Sequence, residues 1–144
     1  MITVREYRHA DLAAVTELMS DLGYPTDMES MQKRMDLIEA NPLYATFVAV
    51  MDEQVVGLIG TRLVHYYEGD GAAVQISALV TQSRHQGKGI GRQLVQFVER
   101  WAAQKGADSV SLTSGIKPER EKAHAFYKMM GYDVTGYRFV KKLV

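Results

Sequence analysis

Gln86-Gly87-Lys88-Gly89-Ile90-Gly91-Arg92 is the stretch whose reading decides the fold. It follows an apolar run, Ile76 to Thr81, and leads into Gln93-Leu94-Val95-Gln96-Phe97-Val98-Glu99-Arg100-Trp101, an amphipathic segment that continues to Lys105. A strand, a glycine-rich turn and a helix are therefore expected in that order. Three glycines within five residues let backbone approach a ligand closely, because no Cβ stands in the way. The first turn of the helix offers unpaired N–H groups and the positive end of its dipole, which together favour an anion. Lys88 and Arg92 add side-chain charge beside those amides. The turn reads as a phosphate cradle.

Two familiar cradles do not fit. A Walker loop needs Gly-Lys-Ser/Thr after four spacers, whereas Gly87-Lys88 runs into Gly89. A dinucleotide turn needs Gly-X-Gly-X-X-Gly after the first strand of a parallel unit; here the glycines are evenly spaced and lie past the middle of the chain.

Outward from the turn, alternation and capping residues divide the chain. Thr3 to Tyr7 is expected as a strand, and Asp11 as the N-cap of a helix from Leu12 to about Leu22, stopped by Gly23-Tyr24-Pro25. Thr26 or Asp27 caps a second helix, Met28 to Glu39, whose stripe of Met28, Met31, Met35 and Ile38 reads as core. Tyr44 to Met51 and Gln54 to about Tyr66 form a hairpin about Asp52-Glu53. Ala73 to Thr81 is the strand before the glycine turn, Gly106 ends the following helix, and Asp108 to Thr113 is a short strand. Pro118 and Glu119 open a last helix to Met130; Tyr132 to Tyr137 and Phe139 to Leu143 are expected as a final β pair. The order β-α-α-β-β-β-α-β-α-β-β implies an α/β fold, a mixed, mostly antiparallel sheet with helices on both faces.

Composition narrows the function. A chain of 144 residues, 47% hydrophobic and 24% charged, reads as one globular domain spanning 1–144. Seventeen basic and seventeen acidic residues cancel, which argues against a nucleic-acid partner and removes charge repulsion between copies. With no cysteine there is no disulfide, no thiolate metal site and no acyl-cysteine intermediate. No metal site is expected. No apolar run reaches membrane-spanning length and no signal-peptide pattern opens the chain, so no membrane partner and a cytoplasmic location are expected.

Gln86, Gly89 and Gly91 match the fixed positions of Gln/Arg-X-X-Gly-X-Gly/Ala, and Ala123-His124-Ala125-Phe126-Tyr127, followed by Gly131-Tyr132, matches Ala-X-X-Phe-Tyr…Gly-Phe/Tyr. The pair resembles the signatures of the GCN5-related N-acetyltransferases, and the element order is similar to theirs. The likeness covers Leu63 to Val144 well and the first sixty residues in outline. It implies acetyl-coenzyme A as cosubstrate and a primary amine of a small molecule as acceptor. In that scheme Gln86, Gly87, Lys88, Gly89, Ile90, Gly91 and Arg92 take the pyrophosphate, while Leu79, Val80 and Thr81 meet the pantetheine arm through main-chain atoms. Ala123 and Phe126 belong to the cofactor side, and Tyr127 holds the general-acid position. A homodimer is a family-level expectation.

There are two departures. Where relatives often carry asparagine stands Arg120, which either reaches phosphate or pairs with Glu119 or Glu121. Gln75-Ile76-Ser77-Ala78 lacks the glutamate many relatives use as base, leaving a water on Ser77, or His65, Glu68 or His124. The acceptor side of the family corresponds to Tyr24 to Met31 and His65 to Asp70, so Tyr24, Asp27, His65 and Glu68 are its candidate contacts. The C-terminal half resembles the aminoalkylphosphonate N-acetyltransferases, with Arg62, Arg120 and Arg138 as candidate partners of a phosphonate. Acetylation of a protein N-terminus or lysine, and a non-catalytic acetyl-coenzyme A sensor, remain open at this level.

Overall fold

The computed structural model describes residues 1–144. The chain divides into two compact units, Met1–Ser111 and Leu112–Val144.

The first unit is built on a sheet of strands in sequential order: β1 (Ile2–Glu6), β2 (Tyr44–Met51), β3 (Gln54–His65), β4 (Ala72–Thr81) and β5 (Ser109–Leu112). The first three neighbouring pairs are antiparallel. The β2–β3 connection is the expected two-residue turn, with Asp52 and Glu53 both at positive φ, the geometry whose twist suits a tight hairpin. One face is covered by α1 (Leu12–Leu22) and α2 (Met28–Ala40), the other by α3 (Ile90–Gln104). On the first face Val48, Leu58 and Val80 meet Val15, Leu18, Met31 and Met35, so the methionine stripe is core at two positions, while Met28 is half exposed. On the second, Phe47 packs against Phe97 and Trp101 at ring separations of 4.9 and 5.3 Å.

Two local rules seat these helices. Gly23 adopts φ 104 at the end of α1, where a left-handed residue closes the helix. Gly57 lies under α3: a Cβ there would stand 2.9 Å from Ile90 Cγ2 and 3.1 Å from Leu94 Cδ1. Asp11 differs from its expected role. It precedes α1 in helical conformation and caps nothing at that helix. Its buried carboxylate instead accepts from Arg5 Nη1 and Nη2 at 2.8 and 2.9 Å and from the Arg8 backbone N–H at 2.8 Å, fastening β1 to the start of α1.

In the second unit a short 3-10 turn, Pro118–Arg120, leads into α4 (Glu121–Met129), so the helix proper starts later than its proline predicts. Tyr127 packs edge-on against Phe126 and Tyr132. The expected final β pair does not form. Residues 133–144 take part in no strand, and Val134, Tyr137, Phe139 and Leu143 stand 82 to 92% exposed. Alternation supplies strand propensity, but a strand also needs a neighbour's backbone, and the chain by itself supplies none there.

Both anchor points give testable consequences. The Arg5 bonds hold the Asp11 carboxyl below its ordinary pKa, so its contribution is complete above the unfolded value of ~3.9 and fades as pH falls through the lower folded one. Asp11→Asn should therefore lower unfolding stability by about 1–3 kcal/mol at pH 7, with the gap to the parent closing below pH ~3. Denaturant titrations at both pH values measure it. Gly57→Val should cost about 1–3 kcal/mol at any pH by overpacking α3; an unshifted midpoint would contradict the seating described.

Candidate functional site

β4 delivers the chain to the glycine turn. After Thr81 the Gln82 N–H bonds to Val56 O at 2.8 Å, a short 3-10 turn spans Ser83–His85, and Gln86 is extended. Gly87 and Gly89 then take φ 82 each, a left-handed conformation that side chains resist. No atom lies within 4 Å of a Cβ built at either, so the backbone angle, not crowding, requires glycine. Gly91 does not share this conformation, because it already lies in the first turn of α3.

The helix opens without a side-chain cap, and its first internal bond runs from Gln93 N–H to Gly89 O at 3.1 Å. The N–H groups of Ile90, Gly91 and Arg92 consequently have no acceptor within the helix. Ile90 is fully buried and pins this end to the sheet. Lys88 Nζ donates to His85 Nδ1 at 3.0 Å. Partial burial, followed by the Lys88 and Arg84 charges, pushes the His85 pKa down and favours its neutral, accepting form. Arg92 lines an open groove of 620 Å³ with Gln93, Gln96, Arg100 and Ile2 to Val4. This end of the turn is also tied to α1: the Ser83 N–H and hydroxyl both donate to Asp21, at 3.2 and 2.5 Å. Neither His85 nor Asp21 stood out in the sequence, since both are ordinary polar residues next to loops.

Leu79, Val80 and Thr81 pair on one edge with Ile59, Leu58 and Gly57 of β3. On the other edge β5 has only four residues against ten in β4, and Asp108 N–H, just before it, bonds to Ala72 O at the start of β4. The last residues of β4 thus keep outward-facing backbone groups that β5 does not reach. Val80 turns its side chain into the core, so only main-chain atoms are on offer there. Ser77 is the extra residue of a β-bulge: Ile76 pairs with Thr61 and Ala78 with Gly60, leaving Ser77 unpaired and exposed.

The acceptor-side candidates separate. Asp27 is the N-cap of α2, accepting from Ser30 N–H at 2.7 Å, and that bond lowers its pKa. Tyr24 is exposed beyond Gly23, His65 is exposed at the end of β3, and Glu68 lies in the exposed turn that follows. Tyr66, by contrast, is a strut: its hydroxyl donates to Asp108 Oδ1 at 2.8 Å.

In the second unit Tyr127 is half buried on α4, and burial pushes its phenol pKa up against the smaller, opposite pull of Arg120. Arg120 caps α4 and forms no ion pair with Glu119 or Glu121. Ala123 and Phe126 lie on the same helix. His124 Nε2–H donates to Gly115 O at 2.7 Å, which fixes the orientation of its ring.

The chain is similar in sequence and fold to known proteins. The aminoalkylphosphonate N-acetyltransferase of Salmonella typhimurium is 30% identical over 151 residues, spanning 99% of this chain and 94% of that one. A GNAT family acetyltransferase from Staphylococcus aureus has the same fold with TM-score 0.85 and 26% identity, over 99% of this chain and 98% of that one. An aminoglycoside N-acetyltransferase solved with CoA shares the fold at TM-score 0.86 and 18% identity, over 100% and 96% of the two chains. The sequence model of the Acetyltransferase (GNAT) family matches residues 12–132. With that match over most of its length, the chain belongs to the GNAT family of acyl-CoA-dependent N-acetyltransferases.

Proposed function

We propose that residues 1–144 act as one catalytic domain that moves the acetyl group of acetyl-coenzyme A directly to a primary amine of a small molecule. The observation that carries this reading is the glycine turn, with left-handed Gly87 and Gly89 opening an uncapped helix beside Lys88. Its free N–H groups suit the pyrophosphate, which Gln86 to Arg92 hold. Arg120, free of any carboxylate partner, adds charge on the cofactor side with Ala123 and Phe126.

In the reaction the amine lone pair forms a C–N bond to the thioester carbonyl, the C–S bond breaks, and the nitrogen loses a proton. Freeing that lone pair in the first place, by taking a proton from the ammonium form, costs about 4 kcal/mol at pH 7 for an amine of ordinary pKa. Water held by Ser77 at the bulge is the route we assign to it. Backbone N–H groups of Leu79 to Thr81 stabilise the oxyanion, as fixed dipoles do most effectively. Tyr127 protonates the departing thiolate; its raised pKa keeps the phenol protonated at neutral pH, as a general acid requires. Tyr24, Asp27, His65 and Glu68 border the acceptor. The enzyme is cytoplasmic on this reading, and no helix is long and apolar enough to cross a membrane.

Thiol release from acetyl-coenzyme A across a panel of amines tests the activity. Tyr127→Phe should lower kcat by roughly 100-fold or more while leaving the acetyl-coenzyme A Kd unchanged; unchanged turnover would remove Tyr127 from the mechanism.

The same reading includes a homodimer, favoured by the exposed apolar segment after α4 and by a net charge of zero. Light scattering should give twice the 16.1 kDa chain mass, and Phe139→Ser should shift the protein toward single chains. A single-chain mass for the parent would exclude the dimer.

A further inference from the structure

The register of β2, β3 and β4 sorts the face under α1 and α2 into three cross-strand rows. Val48, Leu58 and Val80 form the first row and are core. Thr46, Gly60 and Ala78 form the second. Tyr44, Arg62 and Gln75 form the third. Successive rows on one face lie about 7 Å apart. The second row is small: a Cβ built on Gly60 would find only Ala78 within 4 Å, its Cβ at 3.8 Å and its N at 3.9 Å. Beyond the packed core, then, the sheet offers a low floor bounded by an arginine and a glutamine.

Arg62 is chemically incomplete. Its Nη2 donates to Gln75 Oε1 at 2.5 Å, and this is its one protein partner. It belongs to neither the Arg5–Asp11 nor the Lys33–Glu29 ion pair. Its Nε–H is buried and has no acceptor. A buried donor on a cation is costly to leave unmade, and a guanidinium presents Nε–H and a terminal N–H as a planar fork matched to two oxygens of one anion. Gln75, held by that bond, keeps its amide N–H groups for the same guest.

We infer that Arg62, steadied by Gln75, binds an anionic group on the acceptor, so that the preferred substrates are primary amines carrying a carboxylate, phosphate or phosphonate. The acceptor's short body lies on the Gly60–Ala78 floor, and its amine points along β4 toward the bulge at Ser77. The small floor limits the body to a few atoms between amine and anion. This inference rests on the acetyl-transfer reading only for the direction of the amine; anion binding at Arg62 stands apart from turnover.

The test uses the full-length protein, calorimetry and thiol release. 2-Aminoethylphosphonate, β-alanine and O-phosphoethanolamine are compared with ethanolamine and benzylamine, each with coenzyme A present for binding and acetyl-coenzyme A for turnover. The anionic amines should bind more tightly and show higher kcat/KM. Arg62→Gln should weaken their binding and raise their KM about tenfold or more, with kcat and the acetyl-coenzyme A KM little changed. Neutral amines should be indifferent to the substitution, and Arg62→Lys should restore part of the loss. Equal binding of anionic and neutral amines by the parent overturns the inference, as does an equal loss for both kinds in Arg62→Gln. Binding of anionic amines that depends on Arg62 without any thiol release would uphold the anion site and refute the acetyl-transfer reading. Turnover of neutral amines alone would do the reverse.

Discussion

The contact between Gly57 and the start of α3 is the constraint on which the rest of the first unit depends. A side chain at position 57 would meet Ile90 and Leu94, so its absence lets the helix sit directly on the strand. Ile90 is the first residue of α3 and is almost fully buried. Its seat therefore fixes the height of the helix N-terminus relative to the sheet. Because Gly57 pairs with Thr81, the same seat also fixes where β4 ends. The connection has eight residues in which to pass from that strand end to that helix start. Its left-handed angles at Gly87 and Gly89 are the local consequence of joining two points already set by packing. The geometry of the turn is thus delivered by a hydrophobic contact at the residue that follows it.

The bulge at Ser77 makes the second arrangement. Before it, Gln75 shares a face with Arg62; after it, Ala78 and Val80 share that face with α1 and α2. Without the extra residue, strict alternation would send one of these sets to the opposite side. Ile76 would then leave the core against α3, or Val80 would leave the core against α1. The bulge allows one strand to serve two cores and still place Gln75 beside Arg62. It also leaves Ser77 as the exposed residue at the point where the strand changes phase.

Sequence patterns carried much of this. Helices and strands up to Met129 are at the expected places because their apolar spacing, hairpin turn and terminal glycines are local signals. The glycine turn was legible for the same reason, and so was the family to which it belongs. What depended on distant partners was hidden. Asp11 looks like a cap until Arg5 is seen beside it, and no spacing in the sequence shows that the His124 ring donates to Gly115 O 2.7 Å away. Asp27 attracts notice as an acid near a proposed pocket, yet its carboxylate serves the N-terminus of α2. The Ser77 bulge leaves no mark in the sequence, since an extra residue in an apolar run resembles any other.

The segment after α4 shows the opposite failure, a strong local signal with no local fulfilment. Val134, Tyr137, Phe139, Val140 and Leu143 have the side chains of strands, and the periodicity that suggested a β pair is real. A strand, however, is defined by a second row of N–H and C=O groups, and residues 133–144 find none in their own chain. The price is borne as exposed apolar surface, with Phe139 92% and Tyr137 91% accessible. Large contiguous apolar exposure is uncommon in a protein that functions alone. Equal numbers of acidic and basic residues give copies no net repulsion to hold them apart. The propensity that suggested the strand pair belongs to the side chains alone, and it is realised only where a second backbone is within reach.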